Sequence, residues 1–115
     1  SVNSFESKSS NEGVIRVYAA YECGAPKGTS VKIQVSRETT AKEVVELVIK
    51  QFNAIVKLKN LRAPIYDRDQ WDNFILVVAY DGEETLIPDD FNLMKLDEPW
   101  KKGRFYVKQK SSESY

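Results

Sequence analysis

The sequence predicts an α+β domain in which one long helix covers one face of a mixed β-sheet. Three observations lead to this fold class. Two early segments alternate apolar and polar residues, a capped amphipathic segment follows them, and a continuous apolar run opens a later strand. With 115 residues, 42% of them hydrophobic, the chain has enough apolar side chains for one core and too few residues for two domains.

The first two strands are predicted from a period of two. Residues 14–21 alternate in this way, and Val31, Ile33 and Val35 repeat the pattern in the next apolar segment. The intervening ECGAPKGT is rich in Gly and Pro, which is typical of a hairpin loop. Because sequential strands usually pair, we expect Arg16 and Lys32 on one exposed face or edge of the sheet.

The main helix is predicted from its start. Thr40 and Glu43 have the spacing of a capping box, and apolar residues then recur at helical spacing as far as Phe52. We therefore expect a helix over residues 41–53. The periodicity fades over residues 54–73, which contain Pro64, and this segment is expected to be a long connection.

The second half of the chain predicts two strands, a short helix and a final strand. FILVVAY is typical of a buried strand, and Asp81–Gly82 predicts a tight turn into a partner strand that ends at Ile87. The segment DDFNLMKL predicts a single helical turn after an Asp cap, and RFYVKQK predicts the last strand. We expect this strand to pair centrally, parallel to the first one, because Phe105 and Val107 are too apolar for an edge. The order ββαββ–short helix–β fits a β-grasp roll.

Both ends of the chain are polar and rich in Ser. Such segments bury too little apolar surface to offset the entropy lost on ordering. We therefore expect a flexible flank over residues 1–12, a folded domain over residues 13–110 and a flexible tail over residues 111–115.

Residue usage excludes most classes of enzyme and metal site. The chain contains no His, which is the commonest general base and a frequent zinc ligand. The segment GAPKG lacks the GK[ST] ending of a phosphate-binding loop, and Asp67, Asp69 and Asp72 lack the pattern of a calcium loop. We therefore expect a non-catalytic protein with no cofactor and no bound metal.

Charge and cysteine content bear on partners and location. Lys plus Arg and Asp plus Glu both number 17, so no overall field favours nucleic acid or direct insertion into a membrane. Residues 1–62 nevertheless hold ten basic and six acidic residues, so this half carries +4 and the remainder −4. With one cysteine, Cys23, and no segment typical of a signal peptide, a cytoplasmic location is expected, with recruitment to membranes through a partner.

Four segments together resemble those of Ras-association (RA) domains: GVIRVYAAY, SVKIQVSRETTAKEVVELVIKQF, FILVVAYDGEETLIPDD and PWKKGRFYVKQK. The resemblance covers residues 13–110. It implies a ubiquitin-like fold and binding to the GTP-loaded form of Ras- or Rap-like small GTPases, whose own sheet the second strand extends. A narrower resemblance is to the RA domain of the ankyrin-repeat and fibronectin type III domain-containing proteins.

The resemblance also implies a set of partner-binding residues, because the GTPase region that RA domains recognise is acidic. The strand candidates are Arg16, Lys32 and Gln34, and the helix candidates are Lys42 and Lys50. Lys27 and Arg37 lie near the ends of the second strand, where their charges would steer association.

An alternative function stays open beside this one. The domain could pack on neighbouring domains or on another protein without binding any GTPase. In that case the apolar residues of AIVKL, together with Trp71, would supply the contact.

Overall fold

A computed structural model describes residues 4–9 and 11–110 of the chain. Its strands are β1 (Phe5–Ser7), β2 (Glu12–Ala20), β3 (Ser30–Ser36), β4 (Phe74–Tyr80), β5 (Glu83–Ile87) and β6 (Arg104–Gln109), and its long helix is α1 (Ala41–Leu58). Short 3₁₀ turns lie at Arg68–Asn73, Leu93–Lys95 and Trp100–Lys102.

All six strands form one mixed sheet. The β3 strand pairs with one side of β2, and the other side of β2 pairs with β1 at residues 13–15 and with β6 at residues 17–20; β4 and β5 then follow β6. The β2–β6 pair is parallel, with Val17 opposite Phe105, and the remaining pairs are antiparallel. The predicted central and parallel pairing of the last strand is therefore confirmed.

The core lies between α1 and one face of the sheet. The helix contributes Val44, Val48 and Phe52, which are at most 1% exposed. The sheet contributes residues from several strands that are at most 2% exposed, among them Ile15, Ile33, Leu76 and Phe105. This arrangement is the predicted α+β class, a mixed sheet with one main helix.

The helix is longer than the sequence analysis predicts. It continues past residue 53 to Leu58, because Val56, 3% exposed, still packs into the core. The Lys59 N–H then donates to the Ile55 carbonyl at 3.0 Å and closes the last turn. The expected long connection is therefore shorter, and it contains the Arg68–Asn73 turn, which buries Trp71.

The structure corrects the expectation for the N-terminal flank. The sequence predicts a flexible flank over residues 1–12, but Phe5–Ser7 form β1 and pair antiparallel with β2, which itself begins at Glu12. The Phe5 ring is 6% exposed and lies 6.4 Å from the Phe105 ring, so one large apolar side chain fastens this strand to the core. The expected tail over residues 111–115 lies outside the described residues, as do residues 1–3 and 10.

A second, smaller correction concerns the helical turn after β5. The sequence predicts an Asp cap, whereas the Asn92 side chain caps this turn and accepts from the Met94 N–H at 3.0 Å. The predicted Asp81–Gly82 turn is confirmed. Both of its residues have positive φ, at 54° and 81°, as a tight β4–β5 hairpin requires.

Candidate binding site at the β3 edge

The β3 strand is an edge of the sheet, because β2 is the only described strand that it pairs with. Arg16 of β2 lies opposite Lys32 of β3. The Arg16 N–H donates to the Ser4 carbonyl at 2.7 Å, on the side of β2 that faces away from β3. Arg16 and Lys32 are therefore a non-hydrogen-bonded pair, so the N–H and C=O of Lys32 point away from β2.

The same alternation directs the backbone of Gln34 outward, two residues along the strand. Two of the outward groups on β3 already have partners. The Gln51 side chain donates to the Lys32 carbonyl at 3.4 Å, and the Ser36 N–H donates to Thr39 Oγ1 at 2.9 Å. The Lys32 N–H and both backbone groups of Gln34 are thus directed outward at the middle of β3, where another strand could pair with them.

Three of the predicted side chains lie together on this part of the sheet. Because Val31, Ile33 and Val35 are buried against α1, the side chains of Lys32 and Gln34 lie on the opposite face and are exposed. The Arg16 side chain is half-buried on that same face and donates from Nη1 to Ser30 Oγ at 3.0 Å. Arg16, Lys32 and Gln34 therefore form one polar, basic surface across β2 and β3.

Two further predicted cations lie at the ends of β3, and both are exposed. Lys27 belongs to the loop before the strand, and Arg37 follows its last residue. Arg37 Nη1 donates to Asn11 Oδ1 at 3.3 Å, which links the end of β3 to the start of β2. With Lys32 at the middle, cations thus lie along the whole strand, which spans roughly 23 Å at the usual rise per residue.

The structure does not bring Lys42 and Lys50 to this edge. Both lie on the flank of α1 that faces the Arg68–Asn73 turn. Lys42 Nζ lies 3.4 Å from Asp72 Oδ1, and Lys50 Nζ lies 5.6 Å from the centre of the Trp71 ring. The predicted set of basic residues therefore divides into two separate surfaces.

The helix residue beside β3 is Gln51, which the sequence analysis leaves out of the site. One signal could have found it. Val44, Val48 and Gln51 follow one another at helical spacing, so a helix that packs on β3 through its valines turns Gln51 toward the same strand.

The described residues carry few features of other kinds of site. Across residues 4–9 and 11–110, no three His, Cys, Asp or Glu side chains are grouped so that they could hold a metal ion. No helix in this part of the chain combines the length and the apolar character needed to cross a membrane. Cys23 is half-buried and unbonded to another cysteine.

Comparison with known proteins identifies the family. The model of the Ras association (RalGDS/AF-6) domain family matches residues 11–112. Among solved structures, the chain is similar to the Rasip1 RA domain, with a TM-score of 0.56 and 15% identity over 85% of this chain and 87% of that one. It is also similar to the RA domain of a guanine nucleotide exchange factor for Rap1, with a TM-score of 0.51 and 15% identity over 96% of this chain and 86% of that one.

None of the curated proteins matches the chain. The narrower resemblance, to the RA domain of the ankyrin-repeat and fibronectin type III domain-containing proteins, therefore stays a prediction.

Proposed function

Because the chain belongs to the Ras association (RalGDS/AF-6) domain family, we propose that it is a non-catalytic module that binds a Ras- or Rap-like small GTPase in its GTP-loaded state. Members of this family are generally interaction modules for GTPases of the Ras family. One of the two similar structures belongs to an exchange factor for Rap1, which also favours a partner of this class.

The observation that carries the proposal is the free edge of β3. A partner strand that pairs there gains main-chain hydrogen bonds from Lys32 and Gln34, and it displaces at most the long contact from Gln51. The cations along the edge favour a partner strand rich in Asp and Glu. Arg16 and Lys32 lie beside the centre of the proposed contact, whereas Lys27 and Arg37 act at its ends, chiefly on the rate of association.

Charge reversal at the centre of the edge tests the proposal. We expect Lys32→Glu to weaken binding to the GTP-loaded partner roughly tenfold, because it places a carboxylate against an acidic strand. The Lys32 side chain is exposed, so the thermal midpoint should stay nearly unchanged. Binding is measured by titration calorimetry and folding by thermal denaturation.

Lys110→Glu is the matched control. Lys110 is also exposed, but it follows β6, which is separated from β3 by β2, and its N–H donates to the Asn73 carbonyl just before β4. This variant should bind like the wild type. Equal losses in the two variants, or no loss in either, would contradict a binding site at the β3 edge.

The alternative function, packing on another protein without regard to nucleotide, has one observation in its favour. Leu58, at the end of the AIVKL segment, is 86% exposed. Trp71 does not support it, because this side chain is 8% exposed and its Nε1 donates to the Tyr66 carbonyl at 2.9 Å. Trp71 thus anchors the connection to the domain itself.

A further inference from the structure

The outer surface of α1 carries a row of exposed residues at a regular spacing. Leu47, Gln51, Ala54 and Leu58 follow one another at intervals of four, three and four residues. All four are exposed, Leu47 to 39% and Leu58 to 86%. On a helix this spacing places side chains in a single line, which is how the contact residues of packed helices are arranged.

This row takes no part in the core of the domain. The helix packs on the sheet through the neighbouring face, by way of Val44, Val48 and Phe52, and the row follows the exposed border of that face. Leu58 is the most exposed large hydrophobic side chain of the described residues, ahead of Leu86 at 62%. A single exposed leucine is ordinary on a protein surface. Two leucines aligned on one helix, with Gln51 and the small Ala54 between them, form a line of contact positions with an apolar residue at each end.

Charged residues run alongside the row at seven-residue intervals. These charged residues are Glu43, Lys50 and Lys57, which immediately precede Val44, Gln51 and Leu58 in the sequence. The three charged side chains are all exposed. In paired helices these positions flank the apolar contact and select the partner by charge. The other side of the row is occupied by the domain itself, since Gln51 bonds to Lys32 of β3. Glu43 precedes the first residue of the row, whereas Lys50 and Lys57 lie between Leu47 and Leu58, so the two lysines select the charges of a partner.

We propose that this α1 seam, formed by Leu47, Gln51, Ala54 and Leu58 with the flanking Lys50 and Lys57, docks an acidic amphipathic helix of a partner protein. Leucines of the partner would pack against the two leucines of the seam, and its Glu or Asp side chains would pair with the two lysines. The spacing of four, three and four residues along the seam favours a helix as the partner, whereas an anionic lipid surface, which would meet the same lysines, is an outcome of the test below. This inference goes beyond GTPase binding and does not rest on it.

A pair of synthetic helical peptides tests the proposal without any GTPase. Each has three heptads with Leu at the two contact positions. One carries Glu at both flanking positions and the other carries Lys, so that like charges keep each peptide from pairing with itself. Each is titrated into the isotopically labelled domain and followed by NMR, which detects weak binding. We expect saturable shifts of the α1 resonances with the Glu peptide and roughly tenfold weaker binding of the Lys peptide.

Variants of the seam assign the contact to named residues. Leu58→Asn should weaken binding of the Glu peptide roughly tenfold, whereas Leu86→Asn, at an exposed leucine on β5, should leave it unchanged. The double variant Lys50→Glu, Lys57→Glu should prefer the Lys peptide. Because these side chains are exposed, thermal melts should report folded domains in every case.

Three results would overturn the proposal. The first is equal binding of the two peptides, or binding of neither. The second is wild-type binding by Leu58→Asn together with an unchanged preference in the double variant. The third is binding of vesicles that contain phosphatidylserine under conditions where the Glu peptide does not bind, which would assign the surface to a membrane instead.

Discussion

At the scale of single residues, Tyr21 is the clearest departure from ideal packing. Its ring is held edge-on by Phe74, Tyr66 and Phe52, with ring centres 4.9, 5.5 and 6.3 Å away. Its hydroxyl is buried and has no hydrogen-bond partner among the described residues. The alternation in the sequence predicts that Tyr21 points inward, but it carries no information on whether a hydroxyl finds a partner there. An unpaired buried hydroxyl lowers the stability of the fold.

We predict that Tyr21→Phe raises the free energy of unfolding by about 1 kcal/mol, since it keeps the ring contacts and removes the unpaired hydroxyl. It should also change the response to alkaline pH. Burial raises the pKa of Tyr21 in the folded protein, with smaller contributions from Cys23 and Tyr66, whereas the unfolded chain ionises near pH 10. The fold therefore loses stability as the pH rises above about 10, because the unfolded chain then ionises this hydroxyl and the folded protein does not.

Urea denaturation across neutral and alkaline pH measures both effects. Tyr21→Phe should reduce the alkaline loss of stability, although Tyr66, whose pKa burial also raises, will keep part of it. Tyr80→Phe is the control for the loss of a tyrosine hydroxyl, because Tyr80 is 36% exposed. A less stable Tyr21→Phe would contradict the assignment of an unpaired hydroxyl.

At the scale of elements, local patterns account for what the sequence predicts correctly. The Thr40–Glu43 capping box is confirmed, with the Thr40 N–H donating to Glu43 Oε1 at 2.9 Å and the Glu43 N–H donating to Thr40 Oγ1 at 3.3 Å. The end of α1 and the whole of β1 depend on tertiary contacts instead. Phe5 is one apolar residue in a polar segment, so no periodicity reveals it, and only its place beside Phe105 explains the strand.

The exposed edge of β3 leads to a prediction about its main chain. Because the Gln34 N–H points outward, Gln34→Pro should be tolerated by the sheet while it removes one donor that a partner strand needs. We expect binding to the GTP-loaded GTPase to fall at least roughly tenfold, with the thermal midpoint lowered only slightly. Gln34→Ala is the control, since it shortens the side chain and retains the N–H. If Gln34→Pro folds and binds like the wild type, strand addition at β3 is wrong.

At the scale of the whole molecule, the two parts of the predicted site differ in how well sequence alone locates them. Arg16, Lys32 and Gln34 come together as expected, because a period of two fixes the face of a strand and sequential strands pair. Lys42 and Lys50 do not join them, because the solvent-facing arc of a helix is wide and periodicity does not say which flank meets which neighbour. The packing of the Arg68–Asn73 turn on α1 decides where these lysines lie. In this turn, Asp72 pairs with Lys42, and the Trp71 ring lies beside Lys50.

As a whole, the domain is proposed to bind a small GTPase in one nucleotide state. The most direct test is a calorimetric titration of the domain against a panel of Ras- and Rap-like GTPases. Each is loaded with a non-hydrolysable GTP analogue or with GDP and measured at low and at physiological salt. We predict binding to at least one GTP-loaded member, no detectable binding to its GDP form, and weaker binding at the higher salt because cations line the β3 edge. Absence of binding across the panel, or equal binding to both nucleotide states, would contradict the account.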